Sequence, residues 1–540
     1  MGDRLVVGQQ TLDLHAEVRI LVPQPIRFRP GISPHMPPCG VFRLRSRPTP
    51  AKIGGVSQQA RRGNGALAVE AMNELAAVVL AAGKSTRFKS KLVKVLHPVA
   101  GLPMIRYTLD ALAGLGAQRA VLVLGQQADQ VKAALTDLPM GLDICLQTEQ
   151  LGTGHALLQA RPLLEGSFVA VLCLYGDMPL LSAATLRRLW QHHQQSGATI
   201  TLLTVSSQDS MQFGRIVRDG AGRVAAIVEE DQATPEQRAI RELNVGVYCF
   251  DGAWLWPHLS ALPVSPRGEY FLTDTVAQAV SEGQIVEAVA AENLEEVMGV
   301  NTRAHLSVVE QVVRQRVRQR LMMGGVTLLD PDTVFADALV EVGPDTVIYP
   351  NCLLEGSTRI GPDCTIGPGT RVVDSTIGQN CQVVNSVVEG SVVGDGVHVG
   401  PFSHLRRGAL LQSGVHVGNF AEIKNSTVGA GSHVGHFSYL GDAVLGERVN
   451  VGAGTITCNY DGQRKNATEI GDGVLLGSDT LLVAPVRVGK RARTGAGAVV
   501  THDVPDDALV TGMPARVRER PNGFVRPPSS APAEPMEQKA

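Results

Sequence analysis

Two places in this 540-residue chain gather side chains at spacings that suit chemistry. The first is the loop Ala81-Ala82-Gly83-Lys84-Ser85-Thr86-Arg87, which follows the apolar run Ala77-Val78-Val79-Leu80. A P-loop would need a glycine five residues before Gly83, and position 78 is Val. The loop can still hold phosphate through its backbone N–H groups with Lys84 and Arg87. Asp177 ends a second apolar run at Tyr175-Gly176-Asp177, where a turn residue, a helix cap or a metal ligand would serve equally well. The second place runs from Leu405 to Lys465. Arg406, Lys424, His436, Tyr439 and Asn450 all fall off an aliphatic beat there, which leaves them facing outwards. An outward imidazole suits a general base, and also an ordinary solvated surface.

That beat organises the second half of the chain. Val342, Ile348, Leu354, Ile360, Ile366 and Val372 recur every six residues. After short slips the rhythm returns at Val393, Val399, Leu405, Leu411, Val417 and Ile423. It continues through Val428, Val434 and Leu440, Leu445 and Val451, then Ile470, Leu476, Leu482 and Val488. A glycine often follows, as at Ile360-Gly361 and Val434-Gly435. Six is neither the helical period nor plain alternation; it marks a parallel β-helix of hexapeptide repeats. Three hexads close a triangular coil, and roughly eight coils stacked at about 4.8 Å give a prism ~40 Å long. Between Thr457 and Ile470 the beat breaks, so Cys458-Asn459-Tyr460-Asp461-Gly462-Gln463-Arg464-Lys465 must leave the prism as a loop, a common seat of function.

The first half reads differently. Strands are expected at Ala77–Leu80, Ala120–Leu124, Val169–Leu174 and Thr199–Thr204, with helices at Asp129–Leu135 and Thr185–Gln195. Such alternation predicts a Rossmann-like, mostly parallel sheet with helices on both faces, whose ligands sit at the carboxyl ends of the strands. Both the 81–87 loop and Asp177 fall there. A polar helix from Thr302 to Met323 connects the halves. The expected layout is an extension over 1–72, without fold of its own given its scattered Arg, Pro and Gly, with Met72 the natural start. A nucleotide domain follows over 73–301, a helical linker over 302–325, the β-helix over 326–518 and a Pro-rich disordered tail over 519–540.

A net charge of −2 offers no basic field for nucleic acid, and no run of 18 apolar residues offers a membrane span. The eight cysteines are scattered without a C-x-x-C pair, which predicts reduced thiols in a cytoplasmic protein.

Leu80-Ala81-Ala82-Gly83-Lys84-Ser85-Thr86-Arg87 with Lys94-Val95-Leu96-His97 resembles the signature of sugar-nucleotide pyrophosphorylases. Gln147-Thr148-Glu149-Gln150-Leu151-Gly152-Thr153-Gly154-His155-Ala156 resembles the uracil-reading segment of one family within them. That family couples N-acetylglucosamine-1-phosphate uridyltransferase to glucosamine-1-phosphate N-acetyltransferase, and the likeness extends from residue 73 to about 505. It implies an α/β nucleotidyltransferase domain followed by a left-handed β-helix acetyltransferase domain, working on UTP and acetyl-CoA with Mg²⁺ as a homotrimer. Leu80, Ala81, Ala82, Gly83, Gln147, Gln150, Gly152 and Thr153 would then hold the nucleotide, and Arg87 and Lys94 its phosphates. Gly214, Glu229, Asn244 and Gly246 would hold the sugar, and Asp177 with Asn301 would hold Mg²⁺.

Gly435-His436-Phe437-Ser438-Tyr439-Leu440-Gly441-Asp442 resembles the same family's acetyl-transfer site. By that likeness His436 is the general base, and Arg406, Lys424, Tyr439, Asn450, Asn459, Tyr460 and Lys465 serve the acetyltransferase substrate. A backbone N–H near Tyr460 would steady the oxyanion, and Ala453, Ser478 and Ala496 would line the acetyl-CoA groove. The chain departs from the family pattern at Ser85, Val93, Phe213, Val245 and Arg407. A rival reading is a pyrophosphorylase and acyltransferase pair for other substrates, which Gln147, Gln150 and the 458–465 loop would discriminate. Another is a non-catalytic regulatory subunit of a translation-factor exchange complex; that reading expects the metal and base residues to be lost, yet Asp177, Asn301 and His436 are all present.

Overall fold

The computed structural model describes residues 75–518, apart from 84–85, 118, 126, 136–140 and 266–267. The expected 1–72 extension, the tail beyond 518, and Lys84 and Ser85 therefore lie outside the described residues.

The strand Leu75–Ala81 is buried along nearly its whole length and forms the middle of the first sheet. It pairs in parallel with Arg119–Leu124 on one side and Ala170–Tyr175 on the other. Gly141–Leu146 extends the first side, and Glu242–Asp251, Ile200–Ser206 and Val286–Ala290 extend the second. Glu242–Asp251 runs antiparallel to both neighbours, and every other pairing along this path is parallel. A hairpin of Arg215–Arg218 and Val224–Val228 leans on that antiparallel strand. Helices cover both faces and seal two apolar cores, one around Leu109, Leu172 and Leu189, the other around Val171, Phe250 and Trp256.

The helix Arg303–Met323 links the two halves. Thr302 caps its start by accepting from the His305 N–H at 3.2 Å. Its polar sequence hides a stripe of Val309, Val313, Val317 and Leu321 at i, i+4 spacing, all buried. The stripe packs between the nucleotide domain and the first coils in one continuous core that includes Val99, Leu180, Val334 and Leu354. Ala100 is the joint: its N–H donates to Glu310 Oε2 at 2.7 Å and its carbonyl accepts from the Ala338 N–H at 2.9 Å.

From Thr327 onwards, strands of two to four residues stack in parallel into sheets of twelve, ten and nine members, the three sides of a left-handed parallel β-helix. In the twelve-membered sheet the last strand, Arg516–Arg518, turns back antiparallel. The aliphatic beat points inwards as its period requires: Ile348, Leu354, Ile366, Val399, Leu405, Val417, Ile423, Val434, Leu440 and Val488 are fully buried. Ser and Thr line the corners and form hydrogen bonds across coils, as where Ser426 Oγ accepts from the Ala443 N–H of the next coil at 2.9 Å. The recurrent glycines follow from coil stacking. A Cβ on Gly361 would lie 2.7 Å from the Gly378 backbone of the next coil. The seven described cysteines are free thiols.

Candidate active sites

The carboxyl ends of Leu75–Ala81 and Ala170–Tyr175 open onto a cavity of about 600 Å³. Leu80, Ala81, Ala82, Gly83, Arg87, Lys94, Gln147, Gln150, Gly152, Thr153 and Asp177 line it together with Tyr175, Glu269 and Phe271. The last three carry no motif of their own. Tyr175 follows from its position at a strand end beside Asp177, whereas Glu269 and Phe271 come from a distant segment that only the fold brings back.

That segment shapes the cavity wall. The Gly154 N–H donates to the Tyr270 carbonyl at 2.9 Å, and the Tyr270 N–H donates to the Leu151 carbonyl at 2.8 Å. Gly152 has φ +98, and a Cβ there would stand 2.6 Å from the Tyr270 carbonyl oxygen, so this close approach admits glycine only. Gln147 gives its Nε2 to the Gly152 carbonyl at 3.0 Å, with His155 Nδ1 at 3.1 Å. Gln150 gives its Nε2 to the Ala82 carbonyl at 2.8 Å. Both glutamine amides are thereby oriented with Nε2 towards protein. Gln150 Oε1 is left buried with no hydrogen-bond partner among the described residues, an acceptor waiting for a donor.

Charge concentrates at the other end. Lys94 pairs closely with the Asp177 carboxylate and donates to Asn301 Oδ1 at 3.3 Å. Arg87 Nη2 donates to the same Asn301 oxygen at 3.1 Å. Two oxygen donors, one anionic, thus converge on a cation, the donor chemistry that suits Mg²⁺. Val93 keeps φ −57 and ψ 135, a conformation proline also holds, so the departure there leaves the backbone path intact.

The residues expected at the sugar form a second group that meets the cavity through Tyr175. Gly246 has φ +83 inside a register shift of the antiparallel strand, and a Cβ there would overlap the Tyr175 ring. Asn244 Nδ2 donates to Tyr248 Oη at 2.8 Å, and its Oδ1 accepts from the Gly246 N–H at 3.2 Å. Glu229 accepts from Thr273 Oγ1 at 3.0 Å, and burial pushes its carboxyl above the ordinary range. A Cβ on Gly214 would press on Ile227 at 2.9 Å, with Glu229 Oε2 beyond at 3.6 Å.

On the β-helix, pairing register sorts the outward residues into columns, one residue per coil. Asn419 pairs with His436. The Gly454 N–H donates to the His436 carbonyl at 3.2 Å, the Asp479 N–H to the Ala453 carbonyl at 2.7 Å, and the Gly497 N–H to the Ser478 carbonyl at 2.8 Å. His436, Ala453, Ser478 and Ala496 therefore climb one corner of the prism in sequence. Small side chains thus stand above an exposed imidazole along that corner. Beside it Phe402, Phe420 and Phe437 stack in an exposed ridge, with ring centroids 5.4 and 5.1 Å apart.

The next corner is cationic. Lys424 pairs with Gly441 across the coils, one coil above Arg406, whose N–H donates to the Ile423 carbonyl at 2.8 Å. Lys465 returns on its loop to stand against Lys424, and its ammonium, followed by Arg406, holds the Lys424 amine below the ordinary lysine value. The loop is pinned at its base, where the Asn466 N–H donates to the Asn459 carbonyl at 2.7 Å and Tyr460, its side chain exposed, bridges Lys465. A Cβ on Gly441 would lie 2.6 Å from Asn459 Nδ2 and would overlap Tyr439 Oη, so this glycine lets the phenol and the amide meet. Arg406, Lys424, Tyr439, Asn459 and Lys465 are thus gathered at one corner. His436 and its column stand at the other edge of the same side, and Asn450 lies on the preceding side, paired with His433.

An α/β sheet with a cavity at its strand ends, fused to a hexapeptide prism with a cationic corner beside an exposed histidine, defines a nucleotidyltransferase joined to an acyltransferase. Residues 77–279 match the family described as MobA-like NTP transferase domain, and residues 336–419 the GMPPB C-terminal domain. The chain is 50% identical over 439 residues to the bifunctional protein GlmU of Heliobacterium modesticaldum, covering 81% of this chain and 95% of that one. It is 49% identical to the GlmU of Trichlorobacter lovleyi over 446 residues, 82% of this chain and 97% of the relative. With the GlmU of Thermotoga maritima it shares 46% identity over 445 residues, 82% and 97% of the two chains. The chain belongs to the bifunctional GlmU family. It is a UDP-N-acetylglucosamine pyrophosphorylase and a glucosamine-1-phosphate acetyltransferase, acting on small-molecule substrates that include UTP and acetyl-CoA. No helix among the described residues is long and apolar enough to cross a membrane.

Proposed function

We propose that the two reactions divide between the two sites. The β-helix acetylates glucosamine 1-phosphate, and the α/β domain then transfers the uridylyl group of UTP to the product with release of pyrophosphate. The observation that carries the nucleotide reading is Gln150 Oε1. A buried acceptor without a partner fits a base that brings an N–H, as uracil does at N3. Gln147, Gly152 and Thr153 complete that wall. The 81–87 loop with Arg87 and Lys94 cradles phosphate, and Gly214, Glu229, Asn244 and Gly246 receive the sugar.

Asp177 and Asn301 would hold Mg²⁺, since both already give oxygens to the Lys94 ammonium, a stand-in cation. When bound, the ion would screen the charge of two anions brought together. Two protein oxygens suit an ion that keeps several waters and substrate phosphates in its shell.

In the acetyl-transfer site His436 takes a proton from the sugar amine as its nitrogen attacks the thioester carbonyl. The C–N bond forms, the C–S bond breaks and the thiol of coenzyme A leaves. Arg406, Lys424 and Lys465 receive the sugar phosphate, Tyr439, Asn450 and Asn459 orient the sugar, and the Tyr460 backbone N–H faces the oxyanion. Acetyl-CoA lies along Ala453, Ser478 and Ala496. A flat-sided prism offers so long a ligand no pocket of its own, so the groove closes against another copy in a homotrimer, and the exposed Phe402–Phe420–Phe437 ridge is surface for such a neighbour. Seven free thiols suit a cytoplasmic enzyme. The test is direct: the protein with glucosamine 1-phosphate, acetyl-CoA, UTP and Mg²⁺ yields the sugar nucleotide, and omission of acetyl-CoA abolishes it.

A further inference from the structure

The corner that carries Lys424 also carries a column of Asn425, Asp442 and Asn459, one residue per coil. Asp442 stands in the middle. Its Oδ1 accepts from Asn425 Nδ2 at 2.6 Å and its Oδ2 from Asn459 Nδ2 at 2.6 Å. An ionised carboxylate can only accept, so both amides must turn their nitrogens towards it. For Asn459 this fixes which end of the amide is left for a ligand. The residue is only 8% exposed, and among the described residues nothing donates to its Oδ1. Asn425 and Asp442 hold φ of +46° and +51°, and the column of side-chain bonds spans those turns.

We infer that Asp442 is a positioning residue for acetyl transfer: it locks the Asn459 amide so that Oδ1 faces the amino sugar and accepts a hydrogen bond from one of its N–H or O–H groups. Free to rotate, that amide would offer a donor or an acceptor. Against a sugar rich in donors, the wrong end leaves a buried amide and a substrate group both unsatisfied. The phosphate faces Lys424 and Lys465 on the same corner, so the lock orients the sugar ring relative to its anionic end. Tyr439 Oη and the Asn459 amide both lie over Gly441 and complete the wall.

This inference rests on the reading that Asn459 contacts the sugar, and Asn459→Ala tests that reading alone. It should raise the KM for glucosamine 1-phosphate and leave the KM for acetyl-CoA in place; an unchanged sugar KM removes both the reading and the inference. The lock itself is tested by reciprocal exchange. Asn459→Asp puts two carboxylates face to face and should raise the sugar KM about tenfold or more. Asp442→Asn combined with Asn459→Asp restores one donor and one acceptor between the pair, leaves an acceptor towards Asn425, and still presents an oxygen to the sugar. The double variant should recover most of the lost sugar affinity, while uridylyl transfer in each variant reports intact folding. If Asn459→Asp is harmless, or if the double variant is no better than Asn459→Asp, Asp442 does not set the amide and the inference falls.

Discussion

Lys94 Nζ donates to Asn301 Oδ1 at 3.3 Å, joining residues 207 positions apart in the sequence. The same ammonium pairs with Asp177, so one cation ties together the two oxygens that would hold a metal. Because the site takes only these two protein oxygens, losing either should be severe. Asp177→Ala should lower uridylyl transfer by at least ~10²–10³-fold, the usual worth of one electrostatic group in a preorganised site. A chelator should stop the same reaction in the parent protein and leave acetyl transfer running. Parallel loss of both activities in Asp177→Ala would instead indicate a fold defect, which circular dichroism would reveal.

His436 stands exposed at the head of its column, with Ala453, Ser478 and Ala496 above it. His436→Ala should slow acetyl transfer by roughly 10²–10⁴-fold, the range of a general base. Uridylyl transfer from supplied N-acetylglucosamine 1-phosphate should be unaffected. An acetyl-transfer rate equal to that of the parent would take His436 out of the mechanism.

The Lys424–Lys465 contact predicts a pH dependence with a definite sign. Lys465, then Arg406, lowers the Lys424 pKa in the free protein, so Lys424 loses its proton at a lower pH than an ordinary lysine. A bound phosphate favours the charged amine and raises that pKa again, so binding takes up a proton where Lys424 is neutral. The KM for glucosamine 1-phosphate should therefore climb with rising pH already below the ordinary lysine value. Lys424→Arg keeps the charge across that range. Profiles of KM against pH that coincide for the parent and Lys424→Arg would exclude Lys424 from phosphate binding.

The fold was legible in the sequence to the extent that one side-chain position controls it. Apart from positions such as Thr457 and Thr494, the sides of the coils carry an inward aliphatic, so Ile348, Leu354 and Val399 announce the β-helix by period alone. The strand Glu242–Asp251 gave no such signal. Its residues from Leu243 to Phe250 are buried on both faces, so it lacks alternation, and its antiparallel direction is set by neighbours distant in sequence. The helix Arg303–Met323 looked polar because its buried stripe is only one residue wide. The columns of the prism were illegible for another reason. Asn450 pairs with Leu475 across the whole 458–467 excursion, a longer step than Val434 to Val451, so no fixed period leads from His436 to Ser478. Motif resemblance supplied those residues singly; only coil register shows which of them share a corner.

Register also bears on whether one chain holds a whole acetyl-transfer site. His436 ends a strand of the twelve-membered sheet, and the following strand, Tyr439–Gly441, belongs to the ten-membered one. Gly441 pairs with Lys424 at the far end of that side, where Lys465 also stands. One chain thus carries the base and the phosphate cations at opposite edges of a side. If three prisms pack side by side, the His436 edge of one can face the Lys465 edge of the next, and acetyl transfer uses residues of two chains. His436→Ala and Lys465→Ala should each be inactive alone. After dissociation and joint reassembly, some grooves pair an intact His436 from one variant with an intact Lys465 from the other, so acetyl transfer should partly return. Uridylyl transfer, confined to the α/β domain, should be the same before and after mixing. Mass spectrometry of differently tagged variants would establish that mixed assemblies formed. Silent mixed assemblies would mean that Lys465 serves the His436 of its own chain, and the shared site would be wrong.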